Sequence, residues 1–588
     1  MWLPILLVCI AVCSWAVLAA VTYASRWRTR RQYGVAAGAT VVGFFHPFCA
    51  GGGGGERVLW RAVHTLSQLP AKKLGKPLHV LIYTGDIGKT PADILSGVAR
   101  QFEISIDPAA LPVSFVYLRR RGLLDASLYP VLTMLAQSVA SVVLVAEALF
   151  RATPDVFVDT TGFAFSFPVA WLAGCSVGAY VHYPTISTDM LSRVRDQRPS
   201  HNNRTWITSS VAVSRAKVLY YRAFAFMYGI AGFFAERVMV NSSWTRGHIA
   251  ALWKRSPPPT VVFPPCDTSE LESLPINDEC RERCALSVGQ FRPEKDHALQ
   301  VRALAALRKL SGSSDDPHHR RPSDFEDVRL VILGSCRNDG DRQVLETTRA
   351  LAAELGVEDR VDFVVNCSFE ELKAWLGRAS VGLHTMWNEH FGIGVVEMMA
   401  AGVVTIAHRS GGPAADIVVP LPDGRLTGFL ATTPQEYAEV MARVFHPKGV
   451  AVTAAAGGET NVSSSSSNEI KVDVGQDRPM SGGKGGGGDE GEGRGGETSV
   501  LLPQQQQQQG KGVGGGGSGE AAKRLGMAGE GTVLSTRAIR TAGRESARRF
   551  SNDVFDGAFA AEFVELVKHR RSVLRFFPRV QSRAGKED

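Results

Sequence analysis

Short apolar segments of strand length alternate with helical segments along this chain, and the alternation occurs twice. The first series of predicted strands comprises 40–45, 79–83, 156–158, 179–182 and 237–241. The second comprises 286–289, 328–333, 360–365, 381–384 and 403–406. Proline clusters at 256–259 and 263–265 separate the two series and favour a linker there. Strands that alternate with helices predict parallel sheets covered on both faces, so we expect an α/β chain with two such domains.

The predicted domains cover residues 36–252 and 267–447, which agrees with a length of 588 residues, too long for one ordinary domain. Residues 448–531 are dominated by glycine and serine and contain a glutamine run at 504–509. Such a segment buries too little apolar surface to offset chain entropy, so we predict a disordered insertion. Helical sequence resumes at 535–580. Its predicted apolar face comprises Phe550, Val554, Phe555, Phe559, Phe563 and Val567, at spacings near three and four.

The N-terminal segment 2–23 contains no charged residue and is long enough to cross a bilayer. Four arginines follow it: Arg26, Arg28, Arg30 and Arg31. Positive charge on this side predicts a single transmembrane helix with the body of the protein in the cytosol and a short lumenal N-terminus. The alternative is a cleaved signal peptide, which carries its positive charge before the apolar run.

Two further apolar stretches have more than one interpretation. Residues 132–150 are almost uncharged, and residues 218–234 are rich in tyrosine, phenylalanine and alanine. Each stretch fits a buried core helix. Each also fits a helix that lies in the membrane interface.

Composition excludes several classes of protein. The nine cysteines are odd in number and include no Cys-x-x-Cys, which argues against a disulfide framework or a zinc site and favours a reducing compartment. The net charge of +8 is not accompanied by a repeated basic and aromatic pattern, so no nucleic acid partner is predicted. An anionic membrane surface or a phosphorylated substrate fits the charge better.

Two carboxylates flank a small-residue turn in the second predicted domain. Glu389 precedes the turn at 391–394, and Glu397 follows it in what is predicted to be the first part of a helix. A helix N-terminus attracts phosphate, and carboxylates accept hydrogen bonds from sugar hydroxyls. The turn therefore predicts a site for a nucleotide sugar. The alternative is an acidic first helical turn that only complements the helix dipole.

Other phosphate and metal motifs are incomplete. Gly88-Lys89-Thr90 resembles the end of a P-loop, but Tyr83 occupies the place of its first glycine. The glycine run 51–55 does not fit the dinucleotide fingerprint in any register. An ATPase or a dehydrogenase is therefore not expected. The segment 339–341 resembles an Asp-x-Asp metal motif, and its charged surroundings favour a solvated turn, so no metal site is predicted.

Four segments carry a family resemblance: 180–187, 240–244, 289–297 and 384–397. They resemble the α-1,2-mannosyltransferases of asparagine-linked glycosylation, which extend a dolichol-linked oligosaccharide on the cytosolic face of the endoplasmic reticulum. The resemblance covers roughly 36–435 and the C-terminal helices. It implies the GT-B type of fold, with two facing Rossmann-like domains, and retaining transfer of mannose from GDP-mannose. No metal or cofactor is implied.

The resemblance also implies roles for individual residues. Glu397 would bind the ribose of GDP, and Glu389 would hold hydroxyls of the mannose. Lys295 and Arg292 would neutralise the diphosphate, while His182 would reach the donor sugar. The remaining donor-binding candidates are the turn residues Phe391, Gly392 and Ile393 and the loop residues Gly52 and Gly53. Gln290 departs from the family pattern, because related transferases often have arginine at this position.

The function implied is addition of α-1,2-linked mannose to dolichyl-diphosphate-linked Man3GlcNAc2, giving Man4 and Man5 forms. The implied partners are GDP-mannose, the lipid-linked oligosaccharide, the endoplasmic reticulum membrane and other mannosyltransferases of the pathway. Two alternatives remain at this point. One is a retaining transferase that uses another nucleotide sugar, such as UDP-glucose, and the other is an inactive membrane-anchored scaffold.

Overall fold

The computed structural model describes residues 2–190, 211–254, 257–310, 325–445, 450–451 and 533–568. The chain divides into two units, one comprising 1–450 with 534–588 and the other 451–533. The insertion predicted at 448–531 lies outside the described residues, apart from 450–451. Both predicted α/β domains belong to the first unit.

The first domain contains a seven-stranded parallel sheet in the order β3-β2-β1-β4-β5-β6-β7. Its strands are β1 Thr40–Phe45, β2 Leu78–Thr84, β3 Val113–Tyr117, β4 Val156–Asp159, β5 Ser176–Val181, β6 Arg237–Val240 and β7 Thr260–Val261. Its α-helices of six or more residues are Gly54–Gln68, Pro91–Phe102, Thr133–Arg151, Phe167–Leu172, Val211–Phe233 and Ser243–Trp253, with a single turn at Ala71–Leu74. β1, β2, β4 and β5 are buried along their whole length, as expected of strands covered on both faces.

The second domain contains a six-stranded parallel sheet in the order β10-β9-β8-β11-β12-β13. Its strands are β8 Glu282–Val288, β9 Arg329–Gly334, β10 Val361–Val365, β11 Ala379–His384, β12 Val404–His408 and β13 Phe429–Ala431. Its helices are Ser269–Glu272, His297–Leu310, Asp339–Glu354, Phe369–Arg378, Ile393–Ala400 and Pro434–Phe445. Two-residue strands occur at Val450–Ala451 and Val533–Leu534. The predicted α/β class with two facing Rossmann-like domains is confirmed.

The strand order of the two sheets determines where the candidate site lies. In each parallel sheet the order in which the strands follow one another reverses between two neighbouring strands. These are β1 and β4 in the first domain and β8 and β11 in the second. Ligands of open parallel sheets bind beyond the carboxyl ends of the strands at this reversal. The loops after β8 and β11 carry Lys295 and Glu389, so the topology brings together two residues that are 94 positions apart.

Three strands of the two large sheets were not predicted, namely β3, β7 and β13. β7 also lies inside the segment predicted to be a linker, so the first sheet extends beyond the predicted boundary at residue 252. β7 has only two residues beside the proline cluster, and β13 has three. Segments this short have no detectable alternation of apolar and polar residues.

The C-terminal helices belong to both domains rather than to a separate segment. Thr536–Ala547 packs on the second domain through Ile539. Asn552–Lys568 packs on the first domain, where Phe555, Phe559, Phe563 and Leu566 join the core beside the Gly54–Gln68 helix. The predicted apolar face is wrong at Val554, which is exposed, and it omitted Leu566. Residues 569–580 of the predicted segment lie outside the described residues.

Arg540 attaches the first of these helices to the second domain. Its side chain is 2% exposed and contacts Asp278 at 3.1 Å. It also donates to the carbonyl oxygens of Ser380 and Gly402 at 3.2 and 3.1 Å. Replacement by leucine removes the ion pair with Asp278 and the two buried hydrogen bonds to these carbonyl oxygens. We expect Arg540→Leu to lower the free energy of unfolding by about 2–4 kcal/mol, measured by chemical denaturation of the full chain.

The matched control is Arg537→Leu, which removes an exposed arginine from the preceding turn of the same helix. It should change the free energy of unfolding by less than about 0.5 kcal/mol. Equal effects of the two substitutions would show that the buried contacts of Arg540 do not stabilise the fold.

The N-terminal helix covers Trp2–Gln32, so the predicted anchor 2–23 is helical and continues into the arginine-rich segment. Among the helices whose residues are described, Thr133–Arg151 is long and apolar enough to cross a membrane by length and composition, and 39% of its apolar window is buried. Membrane crossing by residues 2–23 stays a prediction.

Candidate active site

A cleft of about 570 Å³ lies where the carboxyl ends of both sheets meet. The first domain contributes His46, Gly54, Gly55, Glu56, Thr160 and His182 to its lining. The second contributes Lys295, His384, Glu389, Phe391, Gly392 and Ile393. Both sets of residues come from the carboxyl ends of strands and from the loops and helix starts that follow them, as the strand order requires.

Lys295 and Glu389 form an ion pair in this cleft, with Nζ 2.7 Å from Oε2. His384, at the end of β11, places Nε2 3.4 Å from the same oxygen. Burial alone would raise the pKa of the Glu389 carboxyl, but the hydrogen bond from His384 and the charge of Lys295 outweigh it. The net effect holds the pKa of Glu389 well below its usual range, so Glu389 is a carboxylate at neutral pH.

Hydrogen bonds fix the loop that carries Lys295. Thr385 Oγ1 donates to the carbonyl oxygen of Lys295 at 2.8 Å, and Gln300 Nε2 donates to Thr385 Oγ1 at 2.8 Å. His297 Nε2 lies 3.0 Å from the carbonyl oxygen of Gln290. The position of Lys295 is therefore set by its backbone and by the start of the following helix, and does not depend on the side chain of Gln290.

The turn at 391–394 forms as predicted. Gly392 has φ 111°, a left-handed conformation that favours glycine, and the helix Ile393–Ala400 begins directly after it. The first N–H groups of a helix have no acceptor within that helix, and they carry partial positive charge. Phe391, Gly392 and Ile393 all line the cleft, so this helix start faces the space beside Lys295.

Gly411 and Gly412 support this turn and were not predicted as part of the site. The N–H of Gly412 donates to the carbonyl oxygen of Glu389 at 2.7 Å, and Asn388 N donates to Ser410 Oγ at 2.8 Å. Gly411 has φ 65°. A turn signal is visible in the Ser-Gly-Gly-Pro sequence at 410–413, but its contact with Glu389 depends on the pairing of β11 with β12.

His182 and His46 form the first-domain side of the cleft. His182 Nε2 lies 3.1 Å from the carbonyl oxygen of Thr160, and His46 Nδ1 lies 2.8 Å from Thr160 Oγ1. His46 Nε2 is also 3.5 Å from Glu56 Oε1. Sequence analysis found His182 but missed His46 and Glu56. His46 directly follows β1 at the sheet reversal, which was the available signal.

The glycines of the 51–55 run that line the cleft lie two positions after the predicted Gly52 and Gly53. The helix begins at Gly54, and Gly54 and Gly55 line the cleft while Gly52 and Gly53 do not. Glu56 accepts a hydrogen bond from the N–H of Gly53 at 2.7 Å and so caps this helix start. A Cβ at Gly54 would lie 2.9 Å from Ile393 Cδ1 of the second domain, so glycine allows the close approach of the two domains here.

Two family models match the chain: "ALG11 mannosyltransferase N-terminus" over residues 39–253 and "Glycosyl transferases group 1" over residues 273–451. A Mus musculus protein named GDP-Man:Man(3)GlcNAc(2)-PP-Dol alpha-1,2-mannosyltransferase is 45% identical over 76% of this chain and 88% of its own length. The Homo sapiens protein of that name is 47% identical, over 69% and 79%. The Dictyostelium discoideum protein is 41% identical, over 68% and 77%.

The chain belongs to this mannosyltransferase family. The resemblance found in the sequence is thereby confirmed. Among solved structures, a glycosyltransferase from Rickettsia africae is 12% identical with a TM-score of 0.48, over 90% of this chain and 99% of that one, which is too distant to add to the assignment.

Besides Gly52 and Gly53, two further predicted site residues of the mannosyltransferase lie outside the cleft, Arg292 and Glu397. Arg292 is about half exposed and lines a neighbouring cavity, with Nη1 3.9 Å from Glu294 Oε1. Glu397 lies one turn into the helix that begins at Ile393. Burial raises the pKa of Glu397, and the charge of nearby Arg57 partly opposes this. The structure therefore brings Lys295, Glu389 and His182 together and leaves Arg292 and Glu397 beside them.

The segment 339–341 is not the solvated turn that was predicted. It begins the Asp339–Glu354 helix, and Asn338 caps that helix by accepting from the N–H of Asp341 at 3.0 Å. Asp341 is buried and accepts from the N–H of Arg337 at 2.9 Å. The acidic residues therefore stabilise a helix N-terminus, which explains the spacing without a metal.

His182 makes the stability of the mannosyltransferase depend on pH. Burial and the neighbouring His46 lower the pKa of His182 to about 4. In the unfolded chain the pKa of histidine is about 6.5, so between these values the unfolded state binds a proton that the folded state does not. We expect the free energy of unfolding to fall as the pH falls from about 6.5 to 4. The His182→Asn variant should show a smaller fall over this window in thermal unfolding, and an unchanged slope would contradict the assignment.

Proposed function

We propose that this chain transfers mannose from GDP-mannose to dolichyl-diphosphate-linked Man3GlcNAc2, with retention, and forms the α-1,2 linkages of the Man4 and Man5 products. The observation that carries this proposal is the Lys295–Glu389 pair at a helix start, in a chain 47% identical to the human enzyme over 79% of that enzyme's length. The names of the curated relatives support both the donor and the acceptor.

Lys295 and the helix start at Ile393 provide the charge that the reaction needs. Departure of GDP places negative charge on the diphosphate, and fixed positive groups in a closed cleft stabilise that charge. The ammonium of Lys295 and the first N–H groups of the Ile393–Ala400 helix line the same space. They are positioned before the substrate binds, because Thr385 holds the Lys295 loop and Gly392 ends the preceding turn.

Glu389 fits a role in sugar binding better than a role as general base. Its carboxylate is already paired with Lys295, and its pKa lies well below the usual range, so it is a weak proton acceptor at neutral pH. A carboxylate can still accept hydrogen bonds from mannose hydroxyls. The acceptor proton would then pass to the departing diphosphate, which agrees with retention without an enzymic nucleophile.

His182 of the first domain contributes to the proposed binding site for the donor sugar. With its pKa lowered to about 4 it is neutral at cytosolic pH, so it can hydrogen bond to a sugar hydroxyl without adding charge. We assign Arg292 and Glu397 secondary roles in diphosphate and ribose binding, through side chains that border the cleft. Gly54 and Gly55 replace Gly52 and Gly53 as the backbone groups nearest the donor.

Transfer should need no metal or cofactor, since Lys295 and the helix start supply the positive charge that a divalent cation provides in other transferases. We expect excess EDTA to change the initial rate by less than about twofold. A loss of activity that Mg²⁺ or Mn²⁺ restores would contradict this part of the proposal.

The proposed location is the endoplasmic reticulum membrane, with the Trp2–Gln32 helix crossing once and both domains in the cytosol. The apolar segment 2–23 and the four arginines after it support this orientation. Other mannosyltransferases of the pathway are the proposed protein partners.

The test of donor choice uses the full-length protein in detergent with lipid-linked Man3GlcNAc2 and either GDP-mannose or UDP-glucose. We expect transfer from GDP-mannose and less than about 1% of that rate from UDP-glucose, since a pocket that hydrogen bonds its ligand rejects a mismatched one by large factors. Transfer from UDP-glucose alone would overturn the proposal.

A further inference from the structure

Glu389 lies between two residues whose side chains contact the other domain. Asn388, directly before it, donates from Nδ2 to Asp189 Oδ2 of the first domain at 2.8 Å. His390, directly after it, stacks on Tyr183 of the first domain, with ring centroids 5.0 Å apart and an interplanar angle of 18°. The first domain therefore holds the chain on both sides of Glu389.

The backbone of Asn388 has a conformation that surrounding contacts must hold. Its φ is 51°, in the left-handed region that residues other than glycine rarely adopt. Within the second domain, Asn388 N donates to Ser410 Oγ at 2.8 Å. The hydrogen bond from the Asn388 side chain to Asp189 adds support from the first domain, so loss of Asp189 weakens the turn that leads into Glu389.

The partners in the first domain are also joined to one another. His390 packs on Trp244 as well, with ring centroids 5.5 Å apart, and Trp244 lies edge-on to His248 at 4.2 Å. His248 Nε2 is 3.6 Å from Asp189 Oδ2, the same oxygen that accepts from Asn388. The contacts on the two sides of Glu389 therefore belong to one cluster of side chains.

A third contact between the domains lies behind the same turn. The N–H of Ser243 donates to Asp416 Oδ2 at 2.7 Å. Asp416 belongs to the short helical segment Pro413–Ile417, which directly follows Gly412. Gly412 in turn donates to the carbonyl oxygen of Glu389. The first domain thus contacts the turn of Glu389 and also the segment that supports this turn.

We infer that Asp189 and Tyr183 of the first domain are positioning residues for Glu389, which act through Asn388 and His390. Contact between the two domains then completes the sugar site of the second domain. Asp189 does not line the cleft, so its effect on transfer is indirect. The inference rests on the proposed role of Glu389 in sugar binding.

The test compares two substitutions at each position in the full-length protein. Asp189→Leu and Tyr183→Leu remove the contacts, whereas Asp189→Asn keeps an oxygen that accepts from Asn388 and Tyr183→Phe keeps the ring that stacks on His390. We expect the leucine variants to lower kcat for mannose transfer about 10–100-fold, because a small displacement of a catalytic group has an effect of this order. The asparagine and phenylalanine variants should stay within about threefold of wild type.

Matched controls come from the same domain. Asp107 accepts from the N–H of Ala109 at 2.8 Å, Tyr117 stacks on Phe115 with ring centroids 6.5 Å apart, and neither Asp107 nor Tyr117 lines the cleft. Asp107→Leu and Tyr117→Leu should transfer mannose within about twofold of wild type. All these variants should bind GDP within about twofold of wild type by calorimetry, because the proposed contacts position the sugar site and leave the nucleotide site intact.

The positioning role also predicts that the effects of Asp189 and Asn388 are not additive. The double variant Asp189→Leu with Asn388→Ala should lose little more activity than Asn388→Ala alone. Additive losses would overturn the inference. Unchanged kcat in the leucine variants would overturn it too, as would equal losses in the leucine and conservative variants or a loss of GDP binding that matches the loss of kcat.

Hydrogen exchange of the peptide 386–392 provides a readout without turnover. Exchange there should become about fivefold faster or more in Asp189→Leu and Tyr183→Leu, and should not change in Asp107→Leu and Tyr117→Leu. Unchanged exchange in the first pair would contradict the positioning role. A wild-type protein that transfers no mannose would instead overturn the proposed function, while the exchange rates would still show whether the first domain holds this turn.

Discussion

Replacing Lys295 by methionine, or Glu389 by glutamine, should lower kcat/KM for mannose transfer about 10²–10³-fold, the usual cost of removing one fixed group that stabilises transition-state charge. Each substitution breaks the 2.7 Å ion pair in the cleft. Because the two groups act together, the double variant should lose little more activity than either single variant. The measurement is the initial rate with GDP-mannose and lipid-linked acceptor.

Lys373 provides a matched control. Its Nζ lies 2.6 Å from Glu270 Oε2 in the same domain, but this pair is on the surface away from the cleft. The Lys373→Met variant should retain activity within about twofold, as surface ion pairs contribute little. Unchanged transfer in the Lys295 and Glu389 variants would contradict the catalytic role of the cleft.

The Gly411→Ala variant should lose about 10²-fold or more in kcat/KM, because a small displacement of a catalytic group has an effect of this size. A methyl group at Gly411 would lie 2.9 Å from the backbone nitrogen of Glu389 and closer still to its carbonyl oxygen. Backbone atoms cannot move aside as a flexible side chain can, so the turn that holds Glu389 must shift. Gly411 itself does not line the cleft, so the substitution acts on activity through the position of Glu389.

Gly424 provides a control that distinguishes the steric contact with Glu389 from the effect of a positive φ. Its φ is 85°, against 65° at Gly411, but a methyl group there would have no atom within 4 Å. The Gly424→Ala variant should therefore lose about 1 kcal/mol of stability and keep nearly full activity. Similar activity in the two variants would show that contact with Glu389 is not what makes Gly411 necessary.

The sequence predicted the parts of the fold that depend on local patterns. Buried strands such as β1 and β9 have a continuous apolar run, and the turn before Ile393 requires a glycine at Gly392. The family resemblance placed Lys295 and Glu389 in one donor site, while their ion pair was found only in the structure, where strand order explains why they meet. The very short strands β7 and β13 were missed because two or three residues show no periodicity.

The errors within the site have a common physical cause. The glycine run contains five equivalent residues, and its sequence does not show which of them begins the helix. The hydrogen bond from the Gly53 N–H to the Glu56 carboxylate determines where this helix begins. Likewise, the family resemblance implies that Arg292 neutralises the diphosphate, but in the structure its side chain lies 3.9 Å from Glu294 and lines a neighbouring cavity. Gly411 contacts Glu389 only because β12 lies beside β11. Each of these depends on tertiary contacts that no local pattern contains.

The most direct test of the proposed function is analysis of the sugar product. The full-length protein is incubated with GDP-mannose and dolichyl-diphosphate-linked Man3GlcNAc2, and the oligosaccharide is released and treated with an α-1,2-specific mannosidase. We predict growth to Man4 and Man5 forms and return to Man3 after the mannosidase. A product that resists this enzyme, or an acceptor that gains no mannose, would contradict retaining α-1,2 transfer in the cleft of Lys295 and Glu389.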